Sequence, residues 1–138
     1  MKVNYKTILE KIKNVLSALN INIFIGNPDV IAIPATAYPC VVVSIDNKKE
    51  DITHLGANKR QIELEFKVWV LTRYISYEKS LEELLNLVDV VEETLRRNLT
   101  LDGSVNYHNL EVTEFGIAAK ENTFILGAIT TLKTFKQI

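Results

Sequence analysis

The sequence predicts an α+β fold with a mainly antiparallel sheet of about five strands and two helices packed on one face. Three observations predict it: two amphipathic segments with helical spacing, one long segment of alternating apolar and polar residues, and the order helix, strands, helix, strands. The 138 residues are 47% hydrophobic and 24% charged, which suits a single domain over residues 1–138 that buries its own core.

The first helix is predicted from apolar residues spaced three and four apart over residues 5–19, with lysines between them. Alternating residues at 21–25 then predict a short strand. Pro34 and Pro39 are incompatible with a regular central strand, because proline cannot donate to a sheet ladder. We therefore expect residues 30–39 to cross irregularly to the next strand.

The run CVVVSI from Cys40 is β-branched and apolar, which predicts a central strand covered on both faces. Residues 47–58, NKKEDITHLGAN, are polar and predict a long exposed loop. The following segment alternates most clearly, with one apolar face made of Ile62, Leu64, Phe66, Val68 and Val70. Its other face carries Gln61, Glu63, Glu65, Lys67 and Trp69.

Ser80 and Glu83 have the spacing of a capping box, and an apolar stripe at helical period follows them to Arg97. This pattern predicts the second helix. Two further strands are predicted at residues 105–115 and 124–135, on either side of a polar break.

If both helices cover the apolar face of the alternating segment, the opposite face has no partner in a monomer. We therefore predict a subunit interface made of this face and the neighbouring loop, comprising Trp69, Glu63, Glu65, Lys67, Lys48, Lys49, Glu50 and Asp51. A second interpretation of Trp69 is that other segments of the same subunit cover its ring.

Charge and hydropathy exclude several classes of protein. The 16 basic and 17 acidic residues give a net charge of −1, so no excess positive charge favours nucleic acid or acidic lipid. The first residues lack the apolar core of a signal peptide, which predicts a cytoplasmic location. No apolar run approaches the roughly 20 residues that span a bilayer, so we expect no membrane partner.

Residues that could carry chemistry are sparse. His54 and His108 have no second His or Cys at ligand spacing, and we expect both to lie in polar loops or turns. Cys40 begins an apolar strand, where thiols are usually inert. No serine lies in a nucleophile elbow, and the glycines stand too far apart to form a phosphate-binding loop. We therefore predict no catalytic residues, no metal and no cofactor.

The order AYPCVVVSID, polar loop, KRQIELEFKVWVLTRY, capped helix and FILGAITTLKTF resembles the tail terminator, or tail completion, proteins of long-tailed bacteriophages. The resemblance covers nearly the whole chain and implies an α+β subunit that forms a ring, usually a hexamer, on the head-proximal end of the tail tube. It also implies the tail tube protein and the head-tail connector as partners, with DNA at most passing through the ring lumen. The implied location is the virion tail or neck, after assembly in the host cytoplasm.

Two functions from different classes follow. The first is a ring-forming structural subunit without enzyme activity, and the second is a small ligand-binding or enzymatic α+β domain whose polar groups converge from loops. Other phage neck proteins and a nucleic-acid-binding accessory protein remain alternatives to both.

Overall fold

The computed structural model describes residues 4–52, 60–120 and 122–138 and confirms the α+β class. It has two helices, α1 (Tyr5–Ser17) and α2 (Tyr77–Arg97). Its five strands are β1 (Asn22–Ile25), β2 (Cys40–Ile52), β3 (Arg60–Tyr74), β4 (Tyr107–Lys120) and β5 (Thr123–Gln137). A short 3-10 turn at Ala35–Ala37 lies in the irregular crossing between β1 and β2.

The strands form one sheet in the order β1-β2-β3-β5-β4. Every neighbouring pair is antiparallel except β1 and β2, which run parallel across the crossing. The strand from Cys40 was predicted to be central, and its first four residues do have β1 and β3 on their two sides. The middle position of the sheet belongs to β3.

The main core lies between the two helices and the predicted apolar face of β3, whose five alternating residues are all buried. The helices contribute Ile8, Ile12, Leu16, Leu84, Val88, Val91 and Leu95 to it. Both helices therefore cover one face of the sheet, as the alternation predicts. Phe66 is fully buried there, a burial that contributes roughly 2–3 kcal/mol.

Each helix begins with a residue whose side chain accepts a hydrogen bond from a backbone amide of the first turn. The cap of α2 lies at a different residue from the one predicted. Asn4 accepts a hydrogen bond from the Thr7 amide at the start of α1. At the start of α2 the cap is Ser76, whose hydroxyl accepts from the Lys79 amide at 3.3 Å. The predicted capping box at Ser80 is wrong because the helix begins one turn earlier and buries Ser80 inside it.

The first six residues of the predicted exposed loop at 47–58 form a strand instead of a loop, although residues 47–50 are exposed as predicted. β2 continues to Ile52 and pairs with β3 as far as Arg60, after a register shift between Ile45 and Asn47. Polar residues are tolerated there because β1 ends at Ile25, so this part of β2 forms a sheet edge, where charged side chains are common. The rest of that loop, including His54, lies outside the described residues.

His108 does not lie in the polar turn that its neighbours predicted. It is buried in β4, with Nε2 2.7 Å from the Leu95 carbonyl oxygen and 3.0 Å from that of Asn98. Nε2 therefore carries the proton and donates to the carbonyl oxygens of Leu95, in the last turn of α2, and of Asn98, its C-cap residue. The same two oxygens also accept backbone N–H bonds from Asn98 and Leu101. The predicted strands at 105–115 and 124–135 are both present with different bounds: β4 begins two residues later and runs to Lys120, and β5 runs from Thr123 to Gln137.

We expect Ser76→Ala to lower the free energy of unfolding by about 1 kcal/mol, because it removes the acceptor for an orphan amide in the first turn of α2. Ser76→Asp should retain most of the stability, since its carboxylate can accept the same bond. Urea unfolding followed by circular dichroism measures both. Equal stability of wild type and Ser76→Ala would contradict the assigned helix start.

Candidate interaction surfaces

The face of the sheet opposite the helices, here called the open face, contains the polar side of β3. Strand register places each of these residues beside a residue of β5 on the same face. The open face comprises Glu63, Glu65, Lys67, Trp69, Ile129, Thr131 and Lys133. Neither helix packs against it, because both lie over the opposite side.

Charged side chains on the open face already have partners within the subunit. Lys133 Nζ lies 3.1 Å from a Glu111 carboxylate oxygen and 3.9 Å from one of Glu63. Lys67 donates a hydrogen bond of 2.7 Å to the Thr131 hydroxyl and lies 4.0 Å from Asp46. Pairs this exposed add little to stability. These contacts hold positive and negative side chains at fixed positions in the middle of the open face.

The structure does not bring all the predicted interface residues to one surface. Lys49 pairs in register with Glu63, which places it on the open face, and the backbone of Asp51 pairs with that of Gln61. Lys48 and Glu50 alternate with them and lie on the helix side of the sheet. There Lys48 Nζ sits 5.3 Å from the ring centroid of Tyr5 in α1. A single subunit contact across the open face would therefore leave out Lys48 and Glu50.

Trp69 is half-buried at one end of the open face. It packs against a second, smaller apolar cluster centred on Cys40, Val42 and Leu71. Its Nε1–H points to the Ser44 hydroxyl oxygen at 3.3 Å. The chain itself thus covers part of the ring, as the second interpretation of Trp69 expected, and its role in a subunit interface stays a prediction.

Beside Trp69 the open face contains an apolar groove of about 420 Å³. The irregular crossing forms one wall with Ile31, Ile33 and Tyr38. Gly116 and Gly127, adjacent in β4 and β5, form part of its floor, and their lack of side chains leaves room for the groove. Most of the side chains that line this groove are apolar, and Asp29 is the charged residue among them. An apolar ligand with a small number of polar groups would suit such a lining.

A separate apolar patch lies on the helix side, where the edge strand β4 meets α2. Phe115 and Ile117 of β4 are 57% and 59% exposed, and Leu85 of α2 is 45% exposed. Together with Tyr77 and Leu81 they line one shallow depression. We call these five residues the β4 patch. It exists because α2 lies mainly over β3 and β5 and leaves the edge strand partly uncovered.

Sequence reasoning missed the β4 patch. Leu81 and Leu85 belong to the apolar stripe that predicted the second helix, Phe115 ends the predicted strand at 105–115, and Ile117 lies beyond it. Nothing in these patterns indicated that the four residues share an exposed surface. Their exposure depends on β4 being the outermost strand. That position is a property of the topology, and no local pattern in the sequence indicates it.

The residues considered for chemistry lie apart. Cys40 is fully buried, and burial raises the pKa of its thiol to about 11. Within residues 4–52, 60–120 and 122–138, no three His, Cys, Asp or Glu side chains gather as a metal site would require. In the same part of the chain, no helix has the length and apolar character needed to cross a membrane.

No family model and no curated protein matches the chain. Among solved structures, a chain from the virion of a native gene transfer agent particle is similar to this one at 10% sequence identity and a TM-score of 0.48. The similarity covers 92% of this chain and 90% of that chain. We draw no functional conclusion from a likeness at this level.

We expect Trp69→Ala to reduce the free energy of unfolding by about 2 kcal/mol or more, because the ring packs on a buried cluster. Trp69→Phe keeps an aromatic ring but loses the donor to Ser44, so its loss should be smaller. Chemical unfolding measures both losses. If Trp69→Ala were as stable as wild type, the ring would not be part of the fold, and its role would lie in an interface alone.

We expect Cys40 to resist thiol reagents in the native protein at pH 8 and to react fully in denaturant. The buried thiol stays protonated, whereas in the unfolded chain it ionises near its ordinary pKa of 9.0. The same raised pKa stabilises the fold below pH 9, and this contribution is lost as the pH rises toward 11. Spectrophotometric thiol titration tests the first expectation, and rapid labelling of the folded protein would contradict it.

Proposed function

We propose that the protein is a non-enzymatic structural subunit of a phage-type virion, which forms a homo-oligomeric ring, usually a hexamer in the family that it resembles. The β4 patch is the observation that supports self-assembly. A contiguous group of exposed apolar side chains rimmed by polar residues marks a protein contact. On the outermost strand of a sheet, such a group also invites association with another chain.

The more specific part of the proposal is the role of tail terminator. It is supported by the resemblance of the order and character of the segments to that family, and by the open face. In a ring, the open face, with Glu63, Glu65, Lys67 and Trp69, would offer a fixed pattern of charge for contact with the tail tube or the head-tail connector. DNA would meet the protein at most in the ring lumen.

A second candidate function is favoured by the groove beside Trp69. Its volume of about 420 Å³ and apolar lining lie within the range of small-molecule sites. A protein with this function needs no ring, so the oligomeric state separates the two candidates.

Light scattering coupled to gel filtration tests the ring. We expect one species with a mass several times the 15.7 kDa of the subunit, six times for a hexamer, and unchanged over a wide range of loading concentration. Negative-stain images of that species should show a closed ring. A monomer at every concentration, or a ladder of open polymers, would overturn the proposal.

The position in the virion needs a separate measurement. Antibodies against the chain should label a single point of each purified particle, where the tail meets the head. Labelling along the whole tail, or none, would contradict the role of terminator while leaving ring formation intact.

A further inference from the structure

At the edge of the sheet farthest from the β4 patch, a second group of apolar side chains is exposed. Ile25 ends β1 and is 43% exposed, and Ile45 in β2 is 56% exposed. Both line one depression together with Leu9 of α1. We call Leu9, Ile25 and Ile45 the β2 patch. It forms because β1 stops after four residues, which leaves β2 without a β1 partner from Ser44 onward.

The two patches lie on opposite edges of one sheet. The strand order places β1 and β4 at the two ends, separated by four strand spacings or about 19 Å. A two-fold symmetric contact joins a surface to its own copy and would use only one of these patches. A head-to-tail contact joins two different surfaces, and when its rotation closes, it generates a ring.

Charges beside the two patches have opposite signs. Helical spacing places Lys6 and Lys13 of α1 beside Leu9, and both are exposed. On α2, Glu78, Glu82 and Asp89 occupy the same flank as Leu85 and are exposed as well.

Several other charged residues on the helices have partners within the subunit. Lys11 pairs with Asp102 at 2.9 Å, and Lys79 lies 5.1 Å from the ring centroid of Tyr74. Further along the acidic flank of α2, Arg96 is paired with Glu92 at 3.1 Å, while on α1 Glu10 lies 4.0 Å from Lys6. Because Lys6 shares its charge with Glu10, and Asp46 beside Ile45 lies 4.0 Å from Lys67, Lys13 is the positive charge beside the β2 patch that has no ion pair among the described residues. The flank of the β4 patch carries the three carboxylates of α2 and is negative.

We propose that the β4 patch of one copy docks on the β2 patch of the next copy, and that this single head-to-tail contact, repeated, closes the ring. Apolar side chains meet at the centre of this contact, and lysines of α1 face carboxylates of α2 at its rim. Contacts between two identical edges would bring like charges together instead, which disfavours them. The inference rests on the proposed function, because it assumes that the chain forms a ring.

Two blocked variants test this pairing. Phe115→Asp with Ile117→Asp blocks the β4 patch, and Ile25→Asp with Ile45→Asp blocks the β2 patch. Each places carboxylates at a surface that must lose water on docking, and all four side chains are exposed in the subunit, so the fold should remain. Circular dichroism checks folding, and the corresponding serine double variants serve if an aspartate variant is unstable.

Alone, each blocked variant should be a monomer. Mixed in equal amounts, they should form a dimer containing one copy of each, because one intact β4 patch and one intact β2 patch remain. The two patches left unused in that dimer both carry aspartates, so no further copy can add and no ring can form. Native mass spectrometry with one partner tagged distinguishes this mixed dimer from dimers of one variant. Leu99→Asp, at an exposed leucine outside both patches, is the control and should form the wild-type ring.

The outcomes separate the inference from the proposed function. A mixed dimer supports head-to-tail docking. If the wild type forms a ring but the mixture stays monomeric, or if either variant alone dimerises or still forms a ring, the pairing of these patches is overturned and the ring remains. If the wild type itself is a monomer, the proposed function fails, and the head-to-tail contact fails with it.

Discussion

Burial of the inward face of β3 against both helices is the constraint on which the rest of the structure depends. This strand lies at the centre of the sheet and pairs along nearly its whole length with β5, and with β2 on its other side. Its period of two fixes which face is apolar, and a slip of one residue would turn the whole set, from Ile62 to Val70, toward water. The positions of both helices follow from covering that face.

The same alternation sends polar residues to the other side, and the open face is a direct consequence. Because β5 runs antiparallel in fixed register, Lys133 is set between carboxylates and Lys67 beside Thr131. These contacts satisfy the charges within one subunit. The open face can therefore remain in water without help from a partner, whereas the two apolar edge patches leave hydrophobic area exposed.

Features governed by short-range pattern could be predicted from the sequence. The alternation over residues 62–70 predicted a long strand with one buried face, and the three- and four-residue spacing predicted both helices. That this strand is the middle one of the sheet was not predicted. Features governed by long-range placement could not. Residues 47–52 are polar enough for a loop, and they form a strand because β3 is available to pair with them. His108 sits between polar neighbours, yet the end of α2, more than ten residues away along the chain, buries it.

For the candidate surfaces too, the features set by local pattern could be predicted and those set by long-range placement could not. Alternation predicted that Glu63, Glu65, Lys67 and Trp69 would share a face, and they do. The loop charges were added to that face by proximity in sequence, and the period of two then sends Lys48 and Glu50 to the other side. Phe115 and Ile117 were missed because whether a strand is interior or outermost depends on the order in which strands assemble, which local periodicity does not contain.

An open sheet has two edges, and proteins commonly protect both against further pairing. Here the part of β2 beyond the end of β1 carries the polar residues Asn47, Lys48, Lys49 and Glu50. Charged side chains on an edge strand discourage pairing with another chain, so this part of the edge can remain exposed to water. The segment of β4 from Phe115 to Ala118 carries no charge and is exposed. A barrel removes its edges by closing on itself, but five strands with both helices on one face do not close. In the ring that we propose, closure across several copies would remove the unprotected edges in the same way, and Lys13 of α1 opposite the carboxylates of α2 would give that closure a direction.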